Sequence, residues 1–373
     1  VNIGIACYPT VGGSGAVAAE LGKQLARRGH AVHFVSYRLP FRLEGFQENI
    51  SYHELDLSTY SLFEYPPHDL SLAAKMAEVS RDHQIELFHV HYAIPYAITG
   101  YLANKMLGDK APKLVTTLHG TDITLVGQDR SFFEITRFGI EQSDGVTAVS
   151  EFLKRMTVDE FEVGQDIEVI PNFVDLSAYC RGSGYKERSA FAPKGEKILL
   201  HISNFRPVKR VLDTVRILER VNREIPAVLL MVGEGPERAS AQALARRLGL
   251  EERVRFLGRQ DRIEELTGVA DVFLLPSELE SFGLSALEAM ACGVPVVGSD
   301  AGGLPEVVKH AETGFLLPVG DIEGMAARTI EILKDEEHWR SLGQAGRRRA
   351  AALFGADRVV SQYERFYEKV MAS

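Results

Sequence analysis

Glu280 and Glu288 stand eight positions apart in the stretch ESFGLSALE, and the chain runs on through AMACGVPVVGSDAGGLPEVV. The apolar run DVFLLPS ahead of them reads as a strand ending near Ser277. A helix is expected to begin around Ser281 to Gly283 and to stop at Cys292, with Gly293 and Pro295 behind it. Glu280 then precedes the helix and Glu288 lies inside it. The N–H groups of Phe282, Gly283 and Leu284 are expected among the donors that a helix start leaves unpaired, so they can meet a hydroxyl or a phosphate. Each carboxylate can accept a pair of hydroxyl hydrogens. Two carboxylates beside an anion site repel the anion, but the arrangement makes sense for a ligand with neutral diols on either side of its phosphates, as in a sugar nucleotide. Taken singly, the same residues would read as a solvated loop glutamate and an exposed helix glutamate.

HISNFRPVKR carries Asn204, Arg206, Lys209 and Arg210 just beyond another apolar run. Guanidinium and ammonium groups there can stabilise charge that grows as a phosphate ester bond breaks. The chain has no Asp-x-Asp pair of the kind that holds a metal in many nucleotide-sugar enzymes. Metal-free chemistry without a cofactor is therefore expected. GGSGA at 12 to 16 follows the first apolar run and opens a helix, where glycine lets the backbone approach a ligand. Gly13 to Ala18 also matches the dinucleotide pattern G-x-G-x-x-A, but the next strand ends in Ser36, Tyr37 and Arg38 instead of the acid an NAD site wants. TTLHGTD puts His119 directly after a strand with Thr116, Thr117 and Asp122 as polar neighbours, HVHYA presents Tyr92, and ITRFGIEQSD places Arg137 within a helix.

These residues need a scaffold that gathers strand ends. NIGIACYP, AVHFVSY, LFHVHYA, KLVTTLHG and GVTAVS alternate with helical segments, the first being GAVAAELGKQLARRG with Gly29 at its end. After a stretch rich in Gly, Pro and Ser near 170 to 195, the rhythm restarts with KILLHISNF, AVLLMVGEG, VRFLG, DVFLLPS, VPVVGSD and GFLLPV. Two α/β domains follow, each a doubly wound parallel sheet of Rossmann-like type, spanning 1–170 and 171–355. The last helix, 356–373, can return to the first domain. In such folds ligands sit beyond the carboxyl ends of the strands, and two facing sheets make a central cleft. The stretch from about 38 to 68 reads as irregular.

With 373 residues, 45 % of them hydrophobic, there is material for two cores. A formal charge of −9 argues against nucleic-acid or anionic-membrane partners. Three scattered cysteines, Cys7, Cys180 and Cys292, fit a reducing compartment, and no apolar run is long enough for a membrane span, so a cytoplasmic location is expected. The start, VNIGIACYP, reads as a first strand and not a signal peptide, and its missing Met suggests a trimmed beginning. A homo-oligomer stays open.

The stretch ESFGLSALEAMACGVPVVGSDAGGLPEVV resembles the donor-site signature of the retaining glycosyltransferases of family GT4, which have the two-domain GT-B fold. GGSGAVAAELGKQLARRGH, TLHGTD, ISNFRPVKR, VGEGPE and VRFLG appear in the family's order, so the resemblance spans the chain. Within the family, CYPTVGGSG, PFRL, HVHYAIPYA, TTLHGTDITLVG and SNFRPVKRV are similar to members that move N-acetylglucosamine from UDP-N-acetylglucosamine to L-malate, opening bacillithiol synthesis.

The resemblance implies that Glu288 binds the ribose hydroxyls and Glu280 the sugar hydroxyls. It implies that N–H groups from Phe282 to Leu284, with Ser281 beside them, meet sugar and diphosphate. Lys209 and Arg210 would hold the diphosphate with help from Gly13, and Phe256 and Leu257 of RFLG would meet uracil. His119 would touch the donor sugar near the reacting centre, while Ser14, Tyr92, Thr116, Arg137 and Asn172 would receive malate. Many relatives carry Arg five positions before the phosphate lysine. Asn204 stands there in this chain, with Arg206 or Arg210 as compensating cations. A family member using another acceptor, such as a cyclitol phosphate, and a sugar-nucleotide binder without transfer activity are the competing readings.

Overall fold

The computed structural model describes residues 1–9, 12–43, 45–55, 67–126, 129–182 and 185–373. Thr10 and Val11 of the CYPTVGGSG motif, the end of TTLHGTDITLVG, and parts of the 38 to 68 stretch and of the linker lie outside the described residues. The chain divides into two compact units, Val1–Pro171 with Asp357–Ser373, and Asn172–Ala356.

The first unit holds seven parallel strands: Asn2–Ala6 (β1), Ala31–Ser36 (β2), Ile50–Glu54 (β3), Leu87–His91 (β4), Lys113–Leu118 (β5), Gly145–Ala148 (β6) and Ile167–Val169 (β7). Their order is β3-β2-β1-β4-β5-β6-β7. β1 and β4 to β6 are almost wholly buried, so even the polar His89, His91, Thr116 and Thr117 of β4 and β5 lie in the interior. Close approach is enforced at Gly4, where a Cβ would lie 2.1 Å from the Phe88 ring across the β1–β4 pair.

The second unit repeats the plan with six parallel strands: Lys197–Ile202 (β8), Ala227–Val232 (β9), Val254–Gly258 (β10), Val272–Leu275 (β11), Val296–Ser299 (β12) and Gly314–Leu317 (β13). The order β10-β9-β8-β11-β12-β13 is the same doubly wound arrangement. In each sheet the direction of strand addition reverses beside the first strand, between β1 and β4 and between β8 and β11. Loops diverge at that point and leave a crevice beyond the strand ends.

Two strands escape the sequence reading. β3 lies at a sheet edge, largely solvent-facing, so ISYHE lacks the apolar signature. β7 is a three-residue edge strand just ahead of the Gly-, Pro- and Ser-rich stretch near 170 to 195. The last helix, Ala356–Ala372, packs on the first unit, burying Val359, Val360, Tyr363, Phe366, Tyr367 and Val370. Arg28 anchors it by donating from Nη1 to Glu364 Oε2 at 2.5 Å, and Tyr367 Oη lies 2.7 Å from His89 Nδ1. Among the described residues no helix is long and apolar enough to cross a membrane.

Candidate functional site

In the second unit, the loops after β8 and β11 meet at the switch point. Lys209 Nζ donates to Glu280 Oε1 at 2.7 Å, and Ser277 Oγ donates to the same oxygen at 2.7 Å. Both side chains of the ion pair are mostly shielded, 20 % exposed for Lys209 and 11 % for Glu280. The ammonium compensates the carboxylate, so Glu280 can stand beside a phosphate without full repulsion and still accept hydroxyl hydrogens.

Arg210 has a left-handed backbone, φ 48°, at the boundary between the turn Pro207–Lys209 and the helix Val211–Val221. Its Nε donates to buried Asp213 at 2.7 Å, and Arg216 donates to the other oxygen of that carboxylate at 2.8 Å. Asp213 thus aligns two guanidinium groups. Arg206 and Asn204 are exposed on the same loop.

Glycines press the loops together. A Cβ on Gly233 would lie 1.8 Å from Ser203 O, one on Gly235 would lie 2.0 Å from Asn204 O, and one on Gly302 would lie 2.1 Å from Glu280 O. VGEG and DAGG are therefore the surfaces on which the Asn204 and Glu280 loops rest. The helix after Glu280 begins later than the sequence suggests, at Leu284, with Gly283 as its cap at φ 96°. Phe282 and Gly283 precede the first turn, and Leu284 is the donor of that trio that belongs to it. The displacement arises because Gly283 takes a left-handed conformation that ends the loop, and a Cβ there would also meet Leu304 at 2.7 Å. Ser281 is half-buried, and Phe282 is buried edge-on against Phe354.

Glu288 is 4 % exposed and accepts from Tyr179 Oη at 2.6 Å, so it is no ordinary surface glutamate. Beyond β9 and β10 lies a cavity of about 640 Å³ lined by Glu234, Arg238, Phe256, Leu257, Gly258 and Arg259. The β9–β10 register shifts between Phe256 and Gly258, and this bulge leaves Leu257 outside the ladder at the cavity wall.

In the first unit, the corresponding rim follows β1, β4 and β5. The helix Gly13–Arg27 starts there after Gly12, with no acid in its first turn. Among the described residues no acid of the helix's own first turn opposes the positive end of its dipole, beside exposed Gly13 and half-buried Ser14. Tyr92, directly after β4, has φ 92°, a conformation seldom adopted by a non-glycine residue, and donates its N–H to Thr117 O at 2.9 Å. Its ring lies 5.3 Å from that of His119. Asp122 is buried and accepts N–H groups from Ala93, Gly120 and His119, tying the two loops together.

A line of histidines backs this rim. His119 Nε2 lies 2.8 Å from His91 Nδ1, and His89 Nε2 lies 2.6 Å from Thr117 Oγ1. Burial lowers all three from the ordinary 6.5, His89 and His119 to about 3 and His91 well below its usual range. His119 therefore works as a neutral imidazole at pH 7. Because these pKa values are depressed on folding, the stability they contribute is complete above pH 6.5 and is lost as pH falls toward 3. Asp122 acts oppositely: burial raises it to about 6, so its contribution is present below 3.8 and is lost as pH rises through 6. With three histidines against one carboxyl, the urea midpoint is expected to fall as pH drops below 6.5. His89→Gln, which keeps hydrogen-bonding partners for Tyr367 and Thr117, should make that fall shallower by up to about 1.4 kcal/mol per pH unit. An unchanged slope would show that His89 does not titrate on unfolding.

Three sequence expectations for the first rim need revision or qualification. Thr116 is fully buried with its hydroxyl 2.8 Å from Ser143 Oγ, on the opposite face of β5 from Thr117, which is fully buried as well. Arg137 sits half-exposed on the helix Arg130–Glu141 with Nε donating to Glu141 at 3.1 Å. Asn172 falls at the first position of the second unit, buried, with Oδ1 lacking a hydrogen-bond partner among the described residues. The sequence reading missed Ser277, Tyr179, Asp213 and His91 as supports. Only Ser277 and Asp213, three residues from their partners, had a local signal.

The profile described as Glycosyltransferase Family 4 matches residues 11–178, and that of Glycosyl transferases group 1 matches residues 186–349. N-acetyl-alpha-D-glucosaminyl L-malate synthase of Bacillus anthracis is 50 % identical over 372 residues, covering 100 % of this chain and 97 % of the relative. Sucrose-phosphate synthase from Thermosynechococcus elongatus superposes with a TM-score of 0.80 at 24 % identity, covering 100 % of both chains. Anabaena Alr3699/HepE, solved in complex with UDP and glucose, superposes with a TM-score of 0.82 at 21 % identity, covering 98 % of this chain and 99 % of that one. The two doubly wound units are thus those of GT-B glycosyltransferases.

Proposed function

This chain belongs to glycosyltransferase family 4, a retaining family, and from that premise we propose that it transfers N-acetylglucosamine from UDP-N-acetylglucosamine to the hydroxyl of L-malate, the opening step of bacillithiol synthesis. The observation that carries the reading is the end-to-end similarity to the Bacillus anthracis enzyme, and the chemistry of the two rims supports it.

In the second unit, Glu288 accepts the ribose hydroxyls and the cavity beside Phe256 and Leu257 takes uracil. Glu280, oriented by Lys209 and Ser277, accepts sugar hydroxyls. Lys209 and Arg210 steady the diphosphate as the sugar–phosphate bond breaks, the point at which charge develops most. The N–H of Leu284 and Ser281 lie beside this path.

In the first unit, the open start of the helix Gly13–Arg27 and Arg137 recognise the two carboxylates of malate, with Ser14 and Tyr92 at the same rim. Asn172, its buried amide oxygen unpaired among the described residues, is a further acceptor-recognition group. Thr116 is left out because its hydroxyl is engaged within the core. His119, neutral and held by His91, offers a hydrogen bond to the sugar without supplying a charge.

The reading uses no covalent glycosyl-enzyme. The malate hydroxyl attacks on the face that UDP leaves, and its proton passes to the departing phosphate oxygen. The new glycosidic bond forms as the sugar–phosphate bond breaks, which preserves the anomeric configuration. The absence of an Asp-x-Asp pair from the sequence supports metal-independent transfer.

UDP release from UDP-N-acetylglucosamine, measured with L-malate, with a cyclitol phosphate and with no acceptor, tests the reading. Malate-dependent release, unchanged by chelator, is expected. Release indifferent to malate, or binding of donor with no release, would overturn it. Arg137→Ala is expected to raise the malate KM about 10–100-fold, the worth of a charge-assisted contact, with kcat little changed. Unchanged malate kinetics would remove Arg137 from the acceptor site.

A further inference from the structure

His33 on β2, His53 on β3 and His83 at the end of the helix His68–His83 come together although each belongs to a different element. One ring nitrogen from each lies within 4.8 Å of the other two. The ring centroids are 5.3 Å apart for His33–His53, 4.6 Å for His33–His83 and 4.9 Å for His53–His83. His33 is buried, His53 half-buried and His83 exposed, so the group is walled on the sheet side and open on the other.

None of these residues enters the transfer chemistry. His33 and His53 stand within β2 and β3, and His83 O accepts from Asn2 Nδ2 at the first residue of β1, whereas Tyr92 and His119 follow strand ends.

We propose that His33, His53 and His83 bind a divalent transition-metal ion of the Zn²⁺ class, with water completing the coordination. Three neutral imidazoles suit Zn²⁺, Cu²⁺ or Ni²⁺ and not the hard cations Mg²⁺ and Ca²⁺. Tetrahedral Zn²⁺ with Zn–N bonds of about 2.0–2.1 Å requires nitrogens about 3.3 Å apart, so side-chain adjustments of about an ångström convert the cluster into a ligand set. His33 Nδ1 and His53 Nε2 are already 3.0 Å apart and share one hydrogen, so one of the two presents a lone pair. Glu78 and Asp82, on the same helix, contribute negative charge near His53, and Lys75 opposes it. The ion would tie edge strand β3, which has a single strand neighbour, to β2 and to the helix His68–His83. Its role is mechanical and lies outside sugar transfer, so the inference stands apart from the proposed reaction.

The full chain, stripped of metal with chelator and desalted, is titrated with ZnCl₂ by calorimetry and with CoCl₂ by visible absorption. One equivalent per chain is expected, with tetrahedral Co²⁺ bands and a thermal midpoint that rises with Zn²⁺. His83→Ala and His53→Ala, both outside the buried core, should each weaken that equivalent at least tenfold while circular dichroism stays unchanged. Crystals soaked in ZnCl₂ give a readout on the unaltered protein, an anomalous peak between the three rings. No saturable equivalent, undiminished binding in both variants, or a peak only elsewhere would overturn the site.

Discussion

Lys209→Ala is expected to lower kcat about 10²–10³-fold, the loss seen when one preorganised donor to a developing oxyanion is removed. Lys209 neutralises Glu280 at 2.7 Å, and in the proposed reaction the same ammonium supplies positive charge where the diphosphate leaves. Deleting it leaves Glu280 held by Ser277 alone and uncompensated beside an anion. The stability change should be smaller than the loss of rate, about 1–3 kcal/mol, because a mostly shielded carboxylate loses its cation while Ser277 still serves it. Steady-state UDP release and urea unfolding on the same preparation separate the two effects. A variant within threefold of the native rate would mean that another cation clamps the diphosphate.

Gly302→Ala is expected to destabilise the second unit by about 3 kcal/mol or more and to abolish most activity. Gly302 has φ 63°, and a Cβ would sit 2.1 Å from the carbonyl oxygen of Glu280. That carbonyl cannot swing aside without loss, since it accepts the N–H of Gly303 at 2.7 Å. The clash is therefore delivered directly to the segment that carries Glu280. Gly249→Ala is the control: φ is 70° there too, but a Cβ would meet nothing within 4 Å. It should show only the left-handed penalty, about 1–2 kcal/mol, with activity retained. Equal effects of the two substitutions on activity would refute the claim that Gly302 supports the Glu280 loop.

The layout of both sheets was legible because parallel strands buried on two faces appear as short apolar-rich runs, continuous in β9 and β11 and interrupted by histidine in β4 and β8. β3 was not legible, since an edge strand half in water has no such constraint, and β7 was too short to stand out from the turn-rich residues that follow it. Thr116 and Thr117 show a different limit. Neighbouring strand residues face opposite sides, and the local sequence does not state which side leads to the rim.

Sequence alone determined the doubly wound architecture and the loops that follow strand ends, and it offered Glu280, Glu288, Lys209, Arg210 and His119 as candidates, because periodicity and residue type are local properties. Tertiary structure decided how those residues are held. Lys209 and Glu280 are separated by 71 positions, Tyr179 and Glu288 by 109, and the His33, His53 and His83 rings converge from three elements. Such partnerships depend on loop packing and on which strands become neighbours, so they arise only when the sheets assemble and the glycine-lined loops close against one another.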